Sequence, residues 1–317
     1  MPYTRLRPCR PGKAVWRPQQ HITPGCRLQS LRSFRPTLGP SRRLPEAANG
    51  APARRVRQPE TLYAIGKSQT KGMKTNRMYD EFAHLWPLIS DPAGYAEEAS
   101  YWRQVLRDKL GPGRHAILEL GVGGGNNLSH LTADFQATAV DLSDKMLANS
   151  RRLNPEVEHH VGDMRTVRLG KKFQAVLIHD AADYLLSEDD LRQTFQTAAI
   201  HLHPKGIFVA APDQYRETFR QSQVYHRTRS KGELELTHIE YANDPDPSDT
   251  TTESIHFYLI RERGHLRIEQ DRHIFGLFPL QTWLNLMEET GFQVDTVPYD
   301  VHEDHREAYL LVGQLSR

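Results

Sequence analysis

The strongest constraint on the fold is a series of short apolar segments that alternate with helical patterns between residues 115 and 212. Each apolar segment is too short to be a helix and is followed by a turn signal. Continuously apolar strands are buried on both faces, which requires a parallel sheet covered by helices. The sequence therefore predicts a doubly wound α/β core. Its predicted strands cover residues 115–121, 137–142, 157–163, 173–180 and 206–212.

Helical spacing of apolar residues fills the gaps between these strands. The last of the connecting helices is expected to begin at a capping box of Ser187 and Asp190. A helix that ends at the glycine-proline-glycine stretch from Gly111 precedes the first strand. The predicted helices cover 96–110, 127–134, 143–152 and 187–201.

The pattern changes after residue 212. Three segments alternate apolar and polar residues with a period of two, as antiparallel strands with one exposed face do; they cover 233–244, 253–263 and 265–278. A helix over 279–290 and two further strands, 292–299 and 307–315, close the chain. We therefore expect a seven-stranded, mostly parallel sheet with a small antiparallel sheet inserted within 213–278, either over a substrate pocket or at a dimer interface.

The first 72 residues differ from the rest in composition. They hold 15 basic and two acidic residues, a net charge of +13, whereas residues 73–317 carry −11. Proline and arginine interrupt every candidate segment, so this stretch is predicted to be a disordered leader. Three interpretations stay open: an organelle transit peptide, a basic arm for nucleic acid or an anionic surface, and an upstream stretch translated from a misassigned start. The catalytic domain is expected over 73–317.

Both cysteines, Cys9 and Cys26, lie in this leader. The body therefore has no thiolate nucleophile and no cysteine-ligated metal. Its 15 histidines are scattered without a metal-binding motif, so no metal is expected.

A glycine-rich turn follows the first predicted strand in the segment ILELGVGGGNN (117–127). Glycines at 121, 123 and 125 allow a sharp bend and a close approach of the backbone to a ligand. A dinucleotide fingerprint requires its third glycine at position 126, which is Asn126. No G-K-[ST] follows, which excludes a P-loop.

Two acidic residues at the ends of the next strands extend this site. Asp141 lies 20 residues after Gly121, where a carboxylate can accept both ribose hydroxyls. Asp163 follows the third strand, where it could accept from an adenine amino group while the amide of Met164 donates to the ring. The carboxyl ends of parallel strands share one edge of the sheet, so these elements are expected to converge.

These motifs together resemble the class I S-adenosylmethionine-dependent methyltransferases. The resemblance spans roughly residues 79–314 and rests on ELGVGGG, VDLSDKML, HVGDMRTV, FQAVLIHDAADYL and HLHPKGIFVAAP. The opening MYDEFAHLW is similar to the small-molecule branch, although Trp86 and Pro87 depart from its usual Y-D pair. The inserted antiparallel sheet is similar to that of sugar-amine N-methyltransferases.

The resemblance implies S-adenosylmethionine as the cofactor. It implies that the methionine, ribose and adenine contacts come from the motifs quoted above, with Tyr79 reaching the cofactor from an N-terminal lid. The residues expected to contact the cofactor are Tyr79, Glu119, Gly121, Gly123, Gly125, Asp141, Leu142, Met146, Asp163, Met164 and His179.

His179 and Asp180 are the candidate catalytic residues, because they end the fourth strand and an imidazole can accept a proton near neutral pH. His179 could equally pack on the cofactor. The predicted activity is methyl transfer to a nitrogen or oxygen of a small molecule. An aminopropyltransferase-like enzyme and a catalytically inactive cofactor-binding protein stay open as alternatives.

The expected partners follow from charge and hydropathy. A body charge of −11 opposes binding to nucleic acid, whose affinity depends on Lys and Arg contacts to phosphates. No apolar run approaches the ~18–20 residues of a membrane helix. We expect a cytoplasmic enzyme that acts on a small-molecule acceptor, with the inserted sheet as a candidate homodimer interface.

Overall fold

The computed structural model describes residues 76–301 and 307–316. The α-helices are α1 (Trp86–Ile89), α2 (Ala96–Leu110), α3 (Asn126–Ser129), α4 (Asp144–Leu153), α5 (Glu188–His201) and α6 (Leu280–Glu289). The strands are β1 (Ala116–Leu120), β2 (Gln136–Asp141), β3 (Glu158–Val161), β4 (Phe173–Ile178), β5 (Leu202–Ala210), β6 (Gln223–Lys231), β7 (Leu234–Asn243), β8 (Thr251–Glu262), β9 (His265–Gly276), β10 (Phe292–Pro298) and β11 (Tyr309–Leu315).

Seven of these strands form the central sheet, in the order β10-β11-β5-β4-β1-β2-β3. β1 to β5 pair in parallel, and β11 is antiparallel to both β5 and β10. This confirms the predicted doubly wound sheet with a terminal antiparallel pair. The order reverses beside β1, so the carboxyl ends of β1, β2 and β4 meet where open α/β sheets bind ligands.

The hydrophobic core lies on both faces of this sheet. Successive residues of β1 enter opposite layers: Ile117 packs with Trp102 of α2, and Leu118 with Phe195 of α5 and Trp283 of α6. All five side chains are buried to 1% exposure or less. Because both faces are covered, the strands have no polar alternation, which is the pattern that predicted them.

Two predicted helix starts are capped as expected, and one predicted helix is too long. The Ser143 hydroxyl accepts from the Met146 amide at 3.1 Å, and the Ser187 hydroxyl accepts from the Asp190 amide at 3.1 Å. The helix predicted over 127–134 is limited to α3, because the hydroxyl of Ser129, its last residue, donates to a carbonyl of its own turn and the chain continues as turns.

The inserted sheet is antiparallel and has four strands in the order β6-β7-β8-β9. Three of them were predicted, but β6 was missed. Its side chains are mostly exposed, it pairs only with β7, and its charged sequence QVYHRTRSK shows no buried alternation. An edge strand with two solvated faces carries no hydrophobic period to detect.

The segment before α2 packs the inserted sheet onto the core. It forms short 3-10 turns at Arg77–Tyr79 and Ala83–Leu85. Met78 and Phe82 are buried together with Tyr258 of β8 and Leu236 of β7. The backbone of this segment is thereby fixed between the inserted sheet and the carboxyl edge of the central sheet.

The leader predicted over 1–72 falls outside the described residues, and so do residues 302–306 between the last two strands. Among the helices of the described residues, none combines the length and the hydropathy needed to cross a membrane.

Candidate active site

The glycine-rich turn leaves β1 in a conformation that only glycine adopts without strain. Gly121, Gly123 and Gly125 have φ angles of 74°, 54° and 76°. A Cβ on Gly121 would lie 2.2 Å from that of Ala181, in the turn after β4. The ends of β1 and β4 are therefore in direct contact, which brings the glycine turn beside the predicted catalytic pair.

Asp141, at the end of β2, ties this turn to the next one. One carboxylate oxygen accepts from the Gly123 amide at 2.7 Å and the other from the Ser143 amide at 2.8 Å. Burial raises the pKa of Asp141, and these amides oppose the rise. Leu142 is 72% exposed beside it, whereas Met146 is fully buried beneath the glycine turn. The arrangement leaves an open apolar surface beside an acidic group.

Asp163 follows β3, at the predicted strand end, but a neighbouring cation already holds it. Arg165 contacts both carboxylate oxygens, with a shortest distance of 2.6 Å, and also pairs with Asp190 at 2.7 Å. This guanidinium lowers the pKa of Asp163. Met164 packs partly buried against the core. The sequence analysis did not identify Arg165 as the partner of Asp163, although the two residues are only two positions apart in the chain.

Glu119 is the most unusual acidic residue of the site. It is only 2% exposed in β1, and its Oε2 atom has no hydrogen-bond partner within the described part of the chain. Burial raises its pKa to about 7, the charge of His179 opposes this rise, and Asp180 and Asp141 add to it. A buried carboxyl oxygen without a partner carries a free-energy cost that a bound cation or donor would remove.

His179 and Asp180 lie together after β4, with Glu98 of α2 as a third member. The Nε2 atom of His179 is 2.6 Å from Glu98 Oε1 and 3.1 Å from Asp180 Oδ1. Burial lowers the pKa of His179, but the two carboxylates outweigh it and raise the pKa to about 10. The imidazole therefore carries a proton at neutral pH and has no free capacity as a base in this arrangement.

A second layer of hydrogen bonds holds Glu98 in place. The Tyr299 hydroxyl donates to Glu98 Oε1 and accepts from the Trp102 indole nitrogen at 3.0 Å. Tyr95 and Trp102 also place their ring edges against His179. Sequence reasoning missed Glu98, because nothing distinguishes it from other acids in the first turn of a helix.

The ligand-type atoms of Glu98, His179 and Asp180 all lie within 4.8 Å of one another, a spacing that a metal ion could also use. Sharing a proton on the imidazole satisfies the same three groups without an ion. The expectation of no metal stays a prediction.

The N-terminal segment closes over the glycine turn. The Ser143 hydroxyl donates to the Tyr79 carbonyl, and a Cβ on Gly124 would lie 2.0 Å from Trp86 Nε1. The Tyr79 hydroxyl is 2.9 Å from that of Tyr184, in the turn after β4. Tyr79 therefore lies between the carboxyl edge of the central sheet and the inserted sheet; its role as a lid residue over the cofactor stays a prediction.

These residues fit a ligand with an ammonium group, a ribose and an aromatic base. Glu119 offers an unpaired carboxyl oxygen, Asp141 an acidic strand end, and Leu142 an uncovered apolar side chain. They follow one another along the carboxyl edge of β1 and β2. S-adenosylmethionine has these three parts in the same order.

Comparisons with known proteins agree with this fit. A family model described as "Methyltransferase domain" matches residues 117–206. The chain is 29% identical over 203 residues to dTDP-3-amino-3,4,6-trideoxy-alpha-D-glucopyranose N,N-dimethyltransferase of Streptomyces venezuelae, covering 63% of this chain and 84% of the relative. It is 26% identical over 222 residues to dTDP-3-amino-3,6-dideoxy-alpha-D-glucopyranose N,N-dimethyltransferase of Streptomyces fradiae, covering 69% and 86%.

Solved structures show the same fold. The crystal structure of DesVI from Streptomyces venezuelae superposes with a TM-score of 0.62 at 26% identity, over 70% of this chain and 92% of that one. The sugar N-methyltransferase KedS8 from Streptoalloteichus gives a TM-score of 0.63 at 20% identity, over 87% and 100%.

Fold, site and comparisons thus define an enzyme of the methyltransferase class that uses S-adenosylmethionine. The chain is a class I S-adenosylmethionine-dependent methyltransferase of the small-molecule type. None of these findings supports the aminopropyltransferase or the inactive binding protein.

Proposed function

We propose that this enzyme methylates the amino group of a nucleotide-linked amino sugar, once or twice. The observation that carries the proposal is the cluster of Glu98, His179 and Asp180 beside the glycine turn. Two carboxylates around one charged imidazole leave a net negative charge, which favours a cationic or amine acceptor. The dTDP-amino-sugar N,N-dimethyltransferases that it resembles over most of their length support the same acceptor class.

The cofactor contacts are proposed as follows. Glu119 accepts from the methionine ammonium, and the backbone at Gly121, Gly123 and Gly125 lets the methionine part approach closely. A bound ammonium would supply the partner that the buried Glu119 oxygen lacks.

The ribose and adenine ends are assigned to the next two strands. Asp141 accepts from the ribose hydroxyls with the lone pairs that the two amides leave free, and Leu142 packs on the base, while the fully buried Met146 supports the glycine turn from beneath. Asp163 shares its oxygens between Arg165 and the adenine amino group, beside the Met164 amide. Tyr79 and His179 complete the pocket at the methyl end.

Methyl transfer needs alignment more than proton chemistry at the reacting carbon. The bound cofactor supplies a methyl group on a positively charged sulfur, a good leaving group. We assign Asp180 to accept a hydrogen bond from the acceptor amine, which aims its lone pair at the methyl group. His179, already protonated, holds Asp180 and Glu98 apart at a fixed spacing. This replaces the general-base role that the sequence suggested for His179.

The organisation of the rest of the chain is proposed from the position and the exposed side chains of the inserted sheet. The inserted region over 213–278 caps the acceptor pocket, and the catalytic domain covers 73–317. The two edge strands of the inserted sheet expose apolar side chains, which makes an edge of this sheet a candidate homodimer contact; these are Val224, Tyr225, Leu266 and Ile268. A cytoplasmic location is expected for an enzyme of soluble nucleotide-linked substrates.

An acceptor series tests the function. The full chain is incubated with S-adenosylmethionine and the dTDP-amino sugars named for its relatives, and with matched sugar nucleotides that carry a hydroxyl in place of the amine. We expect methylated amine products and unchanged hydroxyl analogues. Methylation of the hydroxyl analogues, or of no amino sugar by a protein that binds the cofactor, would contradict the proposal.

A further inference from the structure

A hydrogen-bonded chain of four side chains runs from the lid into the inserted sheet. The Tyr184 hydroxyl donates to the Tyr79 hydroxyl at 2.9 Å and lies 2.5 Å from Nδ1 of His273. The other ring nitrogen of His273 is 2.9 Å from Asp271 Oδ2. His273 and Asp271 are both 0% exposed. Tyr79 forms the outer end of this chain and lies at the carboxyl edge of the central sheet, where the cofactor is proposed to bind.

The chain can carry its hydrogen bonds in two directions. When His273 is neutral and donates through Nε2 to Asp271, its Nδ1 accepts from Tyr184, whose oxygen then accepts from Tyr79. When His273 is charged, Nδ1 donates to Tyr184, Tyr184 donates to Tyr79, and the Tyr79 proton points outward. This second direction is the one that the structure shows between the two tyrosines. The two states differ by one proton, so the chain can conduct one from its outer end to the buried imidazole.

Dimethylation of an amine creates a need for such a path. After the first transfer the nitrogen is an ammonium group, and it cannot attack again until an N–H bond breaks. His179 is already protonated beside Asp180 and Glu98. Burial raises the pKa of Tyr79 and of Tyr184, so each hydroxyl can pass a proton on but cannot serve as a standing base.

We propose that Tyr79, Tyr184, His273 and Asp271 form a proton relay that deprotonates the acceptor nitrogen. The proposal rests on the methylation of an amine proposed above. In the relay step the acceptor N–H bond breaks and its proton goes to Tyr79, while the Tyr79 proton moves to Tyr184 and the Tyr184 proton to Nδ1 of His273. The positive charge ends on His273, facing the Asp271 carboxylate. Release of the proton to solvent after product leaves resets the chain.

Two further histidines of the inserted sheet, His238 and His256, lie near His273. The His256 ring lies 4.3 Å from His273, and burial lowers its pKa to about 3; burial and His256 lower the pKa of His238 to about 4. Both are therefore uncharged at neutral pH and do not repel a charged His273. The ionisable groups facing the relay are Asp141, Asp180, Asp183 and Glu240 toward the tyrosines and Asp271, His256 and His238 toward His273.

The test compares Tyr184→Phe and His273→Gln with the wild-type chain, using the dTDP-amino sugars named for its relatives. At pH 7 we expect kcat to fall about 10²-fold to 10⁴-fold, a typical general-base contribution. The monomethylated product should accumulate, because the second transfer waits for deprotonation. The loss should shrink toward pH 9, where solvent accepts the proton. The affinity for S-adenosylhomocysteine, measured by calorimetry, should stay at its wild-type value.

Tyr258→Phe is the matched control. Tyr258 lies in the same aromatic cluster, but its hydroxyl has no hydrogen-bond partner within the described residues. It should keep the wild-type rate and product ratio. Wild-type kinetics in Tyr184→Phe, or an equal loss in Tyr258→Phe, would overturn the relay while leaving the proposed function intact. If the wild-type chain methylates none of these amines, the proposed function fails, and the relay has no proton to move.

Discussion

The buried carboxyl of Glu119 should make cofactor binding depend on pH in a predictable way. Burial raises its pKa to about 7. In the free protein this favours the protonated form of Glu119. The protonated carboxyl therefore contributes folding stability that is fully present below about pH 4.5 and is lost as the pH rises through about 7. A methionine ammonium bound beside it favours the ionised form, so binding should release a proton.

The size of the effect follows from the pKa. Lowering the pKa from about 7 to its ordinary value near 4.5 corresponds to on the order of 3 kcal/mol. Roughly one Glu119 carboxyl in ten is ionised at pH 6 and nine in ten at pH 8, so affinity should rise about tenfold between them. Above about pH 8 the α-amino group of the cofactor loses its own proton, and affinity should fall again.

Calorimetry in buffers of different ionisation enthalpy measures the released proton directly. At pH 7 we expect about half a proton per bound S-adenosylmethionine, because half of the carboxyls are protonated there. Glu119→Gln is the control of equal size: it should release almost none and should bind the cofactor more weakly at pH 8 than the wild type does. Equal proton release by both proteins would refute the assignment of Glu119 to the ammonium group.

Three further predictions concern the same edge of the sheet. Gly124→Ala would force Trp86 off the glycine turn and should cost about 1–3 kcal/mol of unfolding free energy. Gly94→Ala is the control and should change stability little, because the added Cβ meets no atom within 4 Å. Equal stability of the two variants in urea unfolding would contradict this prediction. Asp141→Ala removes hydrogen bonds worth about 1.5–3 kcal/mol and should weaken S-adenosylmethionine about tenfold to hundredfold by calorimetry; an unchanged affinity would remove Asp141 from the ribose site. Asp180→Asn should raise KM for the amino-sugar acceptor and leave cofactor affinity unchanged, and the reverse pattern in steady-state kinetics would assign Asp180 to the cofactor.

The sequence predicted the central sheet because its strands are buried on both faces. Continuous apolar segments such as β1 and β4 are compatible with few other folds. The helix starts at Ser143 and Ser187 were also predictable, because each cap depends on a residue only three positions away. The edge strand β6 was not predictable in this way, because it is mostly exposed and held by backbone hydrogen bonds to a single neighbour.

The candidate site was predictable only where it depends on local chain geometry. The glycine turn and Asp141 are a few residues from strand ends, and the structure brings them together as expected. Glu98 is 81 residues from His179, and His273 is 89 residues from Tyr184. Contacts of this kind arise from packing between distant elements, so no spacing in the sequence indicates them. The contact with Glu98 changes the interpretation of His179, because a carboxylate partner keeps the imidazole protonated and a protonated imidazole cannot act as a base.

The most direct measurement is transfer of a labelled methyl group. The full chain is incubated with S-adenosylmethionine carrying a ¹³C methyl group and with dTDP-3-amino-3,6-dideoxy-alpha-D-glucopyranose, the amino sugar in the name of one relative. Carbon NMR of the product should show the label on the sugar nitrogen, as one and then two methyl groups. Label on a sugar oxygen, or no labelled sugar at all from a protein that binds the cofactor, would contradict the proposed N-methylation.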